Sequence, residues 1–290
     1  MKALIFGISG QDGFYLRELC LKQNIEVVGV SRSLGEWIQG SVSDFSFVEN
    51  LIKEEKPDYI FHFAANSTTR HDAIFENHEA IGTGTINILE ACKRYSRNSR
   101  VFISGSALQF CNSGEPINET VGFSATSPYV ISRNYSVYAA RYYRGLGLKV
   151  YVGYFFHHDS PLRSTKHINA KIVDCALSNY KGIHQELVIG NSSVVKEYNF
   201  AGDFMEAIWL MVNQDKVSEL VIGSGQGYSI AHWLEICFDL VGLNWKDYVS
   251  VPDNFKADFD SLVSDPKELY RLGWKPKVDI NDLAKMMMAQ

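Results

Sequence analysis

Tyr129 and Arg133 stand four residues apart in the stretch SATSPYVISRNYSVYAARYY, residues 124–143. In a helix that spacing puts a phenol and a guanidinium on one face, a proton-active group beside a fixed positive charge. Near the N-terminus, GISGQDG spaces Gly7, Gly10 and Gly13 between an apolar run and helical spacing. Glycines so placed allow a tight turn, let the backbone approach a pyrophosphate and let the helix pack closely, while the helix N-terminus draws the phosphate charge. The pattern predicts dinucleotide binding. An acid about 20 residues past such a loop marks a free ribose 2′-hydroxyl, and an arginine marks a 2′-phosphate. The second apolar run ends GVSRS, with Ser31 and Arg32 and no acid, so NADP is expected in preference to NAD. His157 and His158 are adjacent; adjacent side chains on a strand face opposite ways, so no metal site is expected from them.

The elements that must position these groups alternate along the first half of the chain. KALIFG (2–7), EVVGV (26–30), DYIFHFAA (58–65), RVFISG (100–105) and LKVYVGYFF (148–156) are short, nearly continuous apolar runs. Runs of this kind suit strands buried on both faces of a parallel sheet. Helical spacing lies between them, as in Leu16, Leu19 and Cys20 and in Ile86, Leu89 and Cys92. The expected fold is α/β, a Rossmann-like doubly wound parallel sheet with a smaller C-terminal substrate-binding lobe. Residues 1–156 are read as the NADP-binding unit and 157–290 as mainly the lobe, interleaved with the first. The lobe is expected to hold a helix at 168–180, a short strand at 186–190 and helices near 202–213 and 229–241. A ligand belongs in the cleft between the two units.

The chain has 290 residues, 46% of them hydrophobic, and a net charge of -5. That is ample for a large core, and scattered Lys and Arg exclude the footprint of a nucleic-acid binder. No apolar run approaches the roughly 20 residues that span a bilayer, and the N-terminal run breaks into glycine too early for a signal peptide, so a cytoplasmic location is expected. Cys20, Cys92, Cys111, Cys175 and Cys237 are widely separated and odd in number, which predicts reduced packing residues rather than a disulfide frame or zinc site.

With these features in hand, the chain resembles the extended short-chain dehydrogenases/reductases that modify nucleotide sugars, above all the GDP-mannose 4,6-dehydratases and the GDP-4-keto-6-deoxymannose reductases. GISGQDGFYL, KPDYIFHFAANS, SPYVISRNYS, FFHHDSPLR, EYNFAGDFMEAIWLM and LGWKPKV carry the likeness over nearly the whole length. The resemblance implies that Gly7, Gly10, Gln11, Asp12, Gly13, Arg32, Ala64 and Ala65 meet the cofactor together with Tyr129 and Arg133. It implies that Tyr129 is acid or base at the sugar C4 oxygen, and that Arg133 takes the place of a lysine that contacts the nicotinamide ribose and supports the tyrosine electrostatically. It further implies that His157, His158, Arg163 and Lys196 line the substrate side, with Arg163 and Lys196 suited to a diphosphate.

Other positions depart from the family pattern. SGSALQF (104–110) puts Gly105 where the family has a threonine that holds the sugar hydroxyl, and Ala107 where it has the glutamate used in eliminating water. Ser106 is the expected replacement hydroxyl, with Ser104 as its rival. FKAD (255–258) puts Phe255 where the family has a ligand-binding arginine. Redox chemistry at C4 of a GDP-mannose-like sugar is therefore the leading expectation. A 4,6-dehydratase with altered residues and a catalytically degenerate binding protein are the alternatives. A homodimer or homotetramer is the assembly that the resemblance implies.

Overall fold

The computed structural model describes residues 1–252, 257 and 259–289, so the expectation for Phe255 lies outside the described residues. Seven strands form a parallel sheet: β1 (Lys2–Phe6), β2 (Glu26–Ser31), β3 (Ile38–Gln39), β4 (Tyr59–His62), β5 (Arg100–Ser106), β6 (Lys149–Phe155) and β7 (Glu219–Ile222). Their spatial order is β7-β6-β5-β4-β1-β2-β3. The chain winds outward from β1 to β3 and then crosses to the other side of β1 with β4. That reversal is the switch point at which doubly wound sheets bind ligands. All five expected strands are present. The run 58–65 ends early, at His62, because the amides of Phe63 and Ala64 both turn onto the Phe6 carbonyl, at 2.9 and 3.1 Å.

Helices α1 (Gln11–Lys22), α2 (Phe45–Glu55), α3 (Gly84–Tyr95), α4 (Pro128–Gly145) and α6 (Ala201–Val212) flank the sheet, whereas α5 (Ile168–Tyr180), α7 (Ile230–Asp239) and α8 (Ile280–Met288) pack on one another beside it. Alternation along β1 explains the layering. Leu4 and Phe6 face the core under α2, α3 and α4, whereas Ala3 and Ile5 face the core under α1 and α6. The helix α4 starts cleanly, because the Ser127 hydroxyl accepts from Val130 N at 3.3 Å and Pro128 takes the first turn. A third core joins α5, α7 and α8 around Ile172, Trp233 and Leu283. Between its parts the chain returns to the sheet through α6 and β7.

Cys20, Cys92, Cys175 and Cys237 are buried, as expected of packing residues, but Cys111 is exposed. Phe110 and Cys111 lie in an extended segment bridged to Phe123, and Phe110 is the one turned into the core. No helix among the described residues is long and apolar enough to cross a membrane.

Candidate active site

The loop between β1 and α1 is built from close approaches. Gly7 holds φ +94°, and a Cβ there would lie 2.7 Å from Ala64 N. A Cβ on Gly13 would lie 2.4 Å from the Gly7 carbonyl oxygen, so α1 packs on its own loop only with glycine at that position. Gly10 caps α1 without a side-chain hydrogen bond, which leaves the first-turn amides available to an anion. Two cavities, of about 190 and 360 Å³, meet over this loop at Gly7, Gly10, Phe63 and Ala65.

The smaller cavity lies at the end of β2. Ala64, Ser31 and Arg32 line it, with Ser41 and Ser43 beyond and Glu76 and Glu79 on its far wall. Ser31 shares hydroxyl hydrogen bonds with Ser9 and Ser33, at 2.7 and 3.0 Å. Arg32 is exposed beside that hydroxyl chain.

Tyr129 and Arg133 both line the larger cavity, together with residues 104–108 from the end of β5. Tyr129 is 7% exposed, and its hydroxyl has no hydrogen bond to a described residue. Arg133 sits 5.2 Å from the centroid of the Tyr129 ring. Its guanidinium donates to both the carbonyl and the hydroxyl of Ser104, while its buried Nε has no hydrogen bond to a described residue. Ser104 is committed twice, since its hydroxyl also donates to His62 O at 2.8 Å. The Ser106 hydroxyl accepts from Leu108 N at 3.3 Å and keeps its own proton for a ligand. Gly105 is crowded: a Cβ there would meet Tyr154 Cδ1 at 2.7 Å and Gln109 Oε1 at 2.9 Å. Ala107 opens on the cavity with nothing to ionise.

Gln11 and Asp12 do more than edge the loop. Gln11 receives a hydrogen bond from Ser160 Oγ at 2.9 Å and donates to His158 O at 3.3 Å, while Asp12 Oδ1 meets His158 Nε2 at 3.0 Å. The glycine loop is thereby clasped to the segment after β6, a contact that Ser160 completes and that sequence reasoning missed. The signal was the pair of motifs GQDG and HDSPLR themselves. Burial alone would raise the Asp12 carboxyl, but His158 and Arg163 outweigh it and hold it below the usual carboxylate range. Arg163 lines the cavity and pairs through Nε with the buried Asp159 at 2.9 Å. Lys166, His167, Lys171 and Arg70 ring a wider opening beyond it. The structure does not bring Lys196 to the cavity. It is 3% exposed, with its amine on His157 Nε2 at 3.1 Å and on Asn169 Oδ1 at 2.9 Å.

The fold and this cleft define an extended short-chain dehydrogenase/reductase of the nucleotide-sugar-modifying type. Within that class the chain belongs to the GDP-mannose 4,6 dehydratase family, whose family model matches residues 4–287. GDP-mannose 4,6 dehydratase 1 of Arabidopsis thaliana is 32% identical over 322 aligned residues, covering 99% of this chain and 88% of the relative. Among solved structures, the UDP-glucose 4-epimerase of Thermus thermophilus in complex with NAD superposes with a TM-score of 0.85 at 22% identity, covering 100% of this chain and 98% of that one. RMD of Pseudomonas aeruginosa, complexed with NADPH, superposes with a TM-score of 0.85 at 17% identity, covering 99% and 96%. These two likenesses concern the fold.

Proposed function

We propose that this chain binds NADP and catalyses hydride exchange at C4 of a nucleotide-linked, GDP-mannose-like sugar, with reduction of a 4-keto group as the favoured direction. Tyr129 carries the proposal: a buried phenol whose hydroxyl has no hydrogen bond to a described residue, on the same cavity as the glycine loop and with a guanidinium against its ring. The cleft suits a dinucleotide, since the first-turn amides of α1 open on the larger cavity with no side-chain cap, and Tyr129 and Arg133 line the same cavity. A bound nicotinamide supplies or accepts the hydride. Tyr129 gives its proton to the sugar oxygen as charge develops there, and Ser106 donates to the same oxygen. Arg32 and the surrounding serines suit a 2′-phosphate, and Arg163 suits the diphosphate of the sugar nucleotide. Incubation with NADPH and a GDP-4-keto-6-deoxy sugar is expected to consume the cofactor, and Tyr129→Phe to slow it by about 10²–10⁴-fold. Intact NADPH with every nucleotide-linked ketosugar tried would refute the proposal.

A 4,6-dehydratase is the second reading, favoured by the 32% identity to a relative of that name and opposed by Ala107 and Gly105. It calls for loss of water from GDP-mannose by mass spectrometry, with no net change in cofactor. For the assembly we propose a homodimer, because α4 exposes Ile131, Tyr135, Tyr138 and Tyr142 along one helical stripe.

A further inference from the structure

His157 and Lys196 form a pair that hydride transfer at C4 does not use. His157 lines the larger cavity, and its backbone is fixed by Asn199 Nδ2 donating to its carbonyl at 2.8 Å. Lys196 Nζ lies 3.1 Å from His157 Nε2, is held by Asn169 and sits 5.2 Å from the Tyr198 ring centroid. Because Lys196 is not among the residues that line the larger cavity and His157 is, a proton passing from Lys196 to a ligand there crosses the imidazole. Nδ1 of His157 carries no hydrogen bond to a described residue.

We propose that Lys196 and His157 are a proton relay that makes His157 Nδ1 a second acid–base atom of the cavity, exchanging a proton with the ring carbon next to the C4 ketone of the bound sugar. This rests on a nucleotide-linked 4-ketosugar being the ligand. With Lys196 as an ammonium, Nζ donates to Nε2 and the ring proton sits on Nδ1. With Lys196 as an amine, Nε2–H donates to Nζ and Nδ1 is a bare acceptor. In that second state Nδ1 takes the carbon-bound proton while the Nε2 proton passes to Nζ. The C–H electron pair becomes the C=C bond of an enolate, whose oxygen takes the negative charge. The reverse step returns a proton to carbon.

The imidazole stays neutral throughout. That matters, because burial and the neighbouring Lys196 charge hold His157 well below the usual imidazole range, and a buried imidazolium is costly. Burial also lowers Lys196, to about 8, so both states of the relay are populated near neutral pH. Asp159 favours the ammonium and Arg163 the amine; His158 and Arg163 also act on His157. His167, itself lowered by burial, faces the same cavity. The Glu197 carboxylate is occupied by Ser264, Ser224, Gly225 and Asn199.

The test supplies a GDP-linked 4-keto-6-deoxyhexose with oxidised NADP in deuterium oxide, so that no net hydride transfer is measured. Wild type is expected to place deuterium on the carbon beside the ketone, faster as pH rises through about 8, where Lys196 loses its proton. His157→Gln and Lys196→Met are each expected to slow exchange by about 10²–10⁴-fold, and Lys196→Met to remove the rise with pH. Thermal melting checks both folds, and His157→Gln, at a cavity wall, keeps the test open if the buried lysine proves essential for folding. Exchange at the uncatalysed rate in wild type, or at the wild-type rate in the variants, overturns the relay. NADPH oxidation is not part of this assay, so the relay can fail while C4 reduction stands, and the converse.

Discussion

Gly105 and Gln109 show how tightly the end of β5 is packed. The space beyond Gly105 is taken by the Tyr154 ring and by the Gln109 amide, whose Oε1 accepts from Ser106 N at 2.7 Å and whose Nε2 donates to Asn134 at 3.1 Å. Gly105→Thr is therefore expected to destabilise the fold by about 1–3 kcal/mol through overpacking, without increasing turnover. Denaturant unfolding checks the first and NADPH consumption the second; a variant as stable as wild type would show that the loop has room to give. Tyr129 and Arg133 were legible in sequence because their relation is local, one turn of helix. The Lys196–His157 contact was not, since it joins residues 39 apart and nothing in the immediate sequence says that Lys196 turns inward.

The same contrast holds for strands. The pentapeptide ELVIG occurs at 186–190 and again at 219–223. The first copy yields the two-residue strand Leu187–Val188, paired with Val249–Ser250 and with Val188 66% exposed. The second is β7 of the main sheet, in which Leu220, Val221 and Ile222 are fully buried, a strand not expected from the sequence. Identical residues cannot tell these fates apart, because strand preference reflects the surface a segment packs on. Strands β1, β2, β4, β5 and β6 were legible because helical spacing separates them along the chain.

What distinguishes β7 is a glutamate with partners. Arg141 grips Glu219 through two hydrogen bonds of 2.9 and 2.7 Å, Tyr154 donates to it at 2.6 Å and Arg144 adds a third donor. Burial would raise this carboxyl, yet these donors lower it from 4.5 to about 2. Its contribution, about 2 kcal/mol after allowance for the solvent that still reaches it, is present above pH 4.5 and lost as pH falls toward 2. Glu219→Gln is expected to cost about that much at neutral pH and to flatten the acid limb of the unfolding midpoint between those values. An unchanged acid limb would mean that the arginines hold β7 without the charge.

Across the whole molecule, the clasp of Gln11 and Asp12 on Ser160 and His158 ties the first helix to residues nearly 150 positions later, and so fixes the cleft from within. The outer face of α4 has no such cover. Ile131, Tyr135, Tyr138 and Tyr142 are 46–64% exposed, and Phe75 nearby is 78% exposed. The inner face of the same helix carries Tyr129 and Arg133, so a partner seated on the stripe would stiffen that helix from behind. Sedimentation is expected to give about twice the chain mass of 32.7 kDa, with a melting temperature that rises with protein concentration. Ile131→Glu combined with Tyr138→Glu is expected to give a monomer that melts lower and independently of concentration. A wild-type chain that sediments as a monomer at micromolar concentration would leave the stripe without a partner of its own kind, and four times the chain mass would require a second interface in addition to α4.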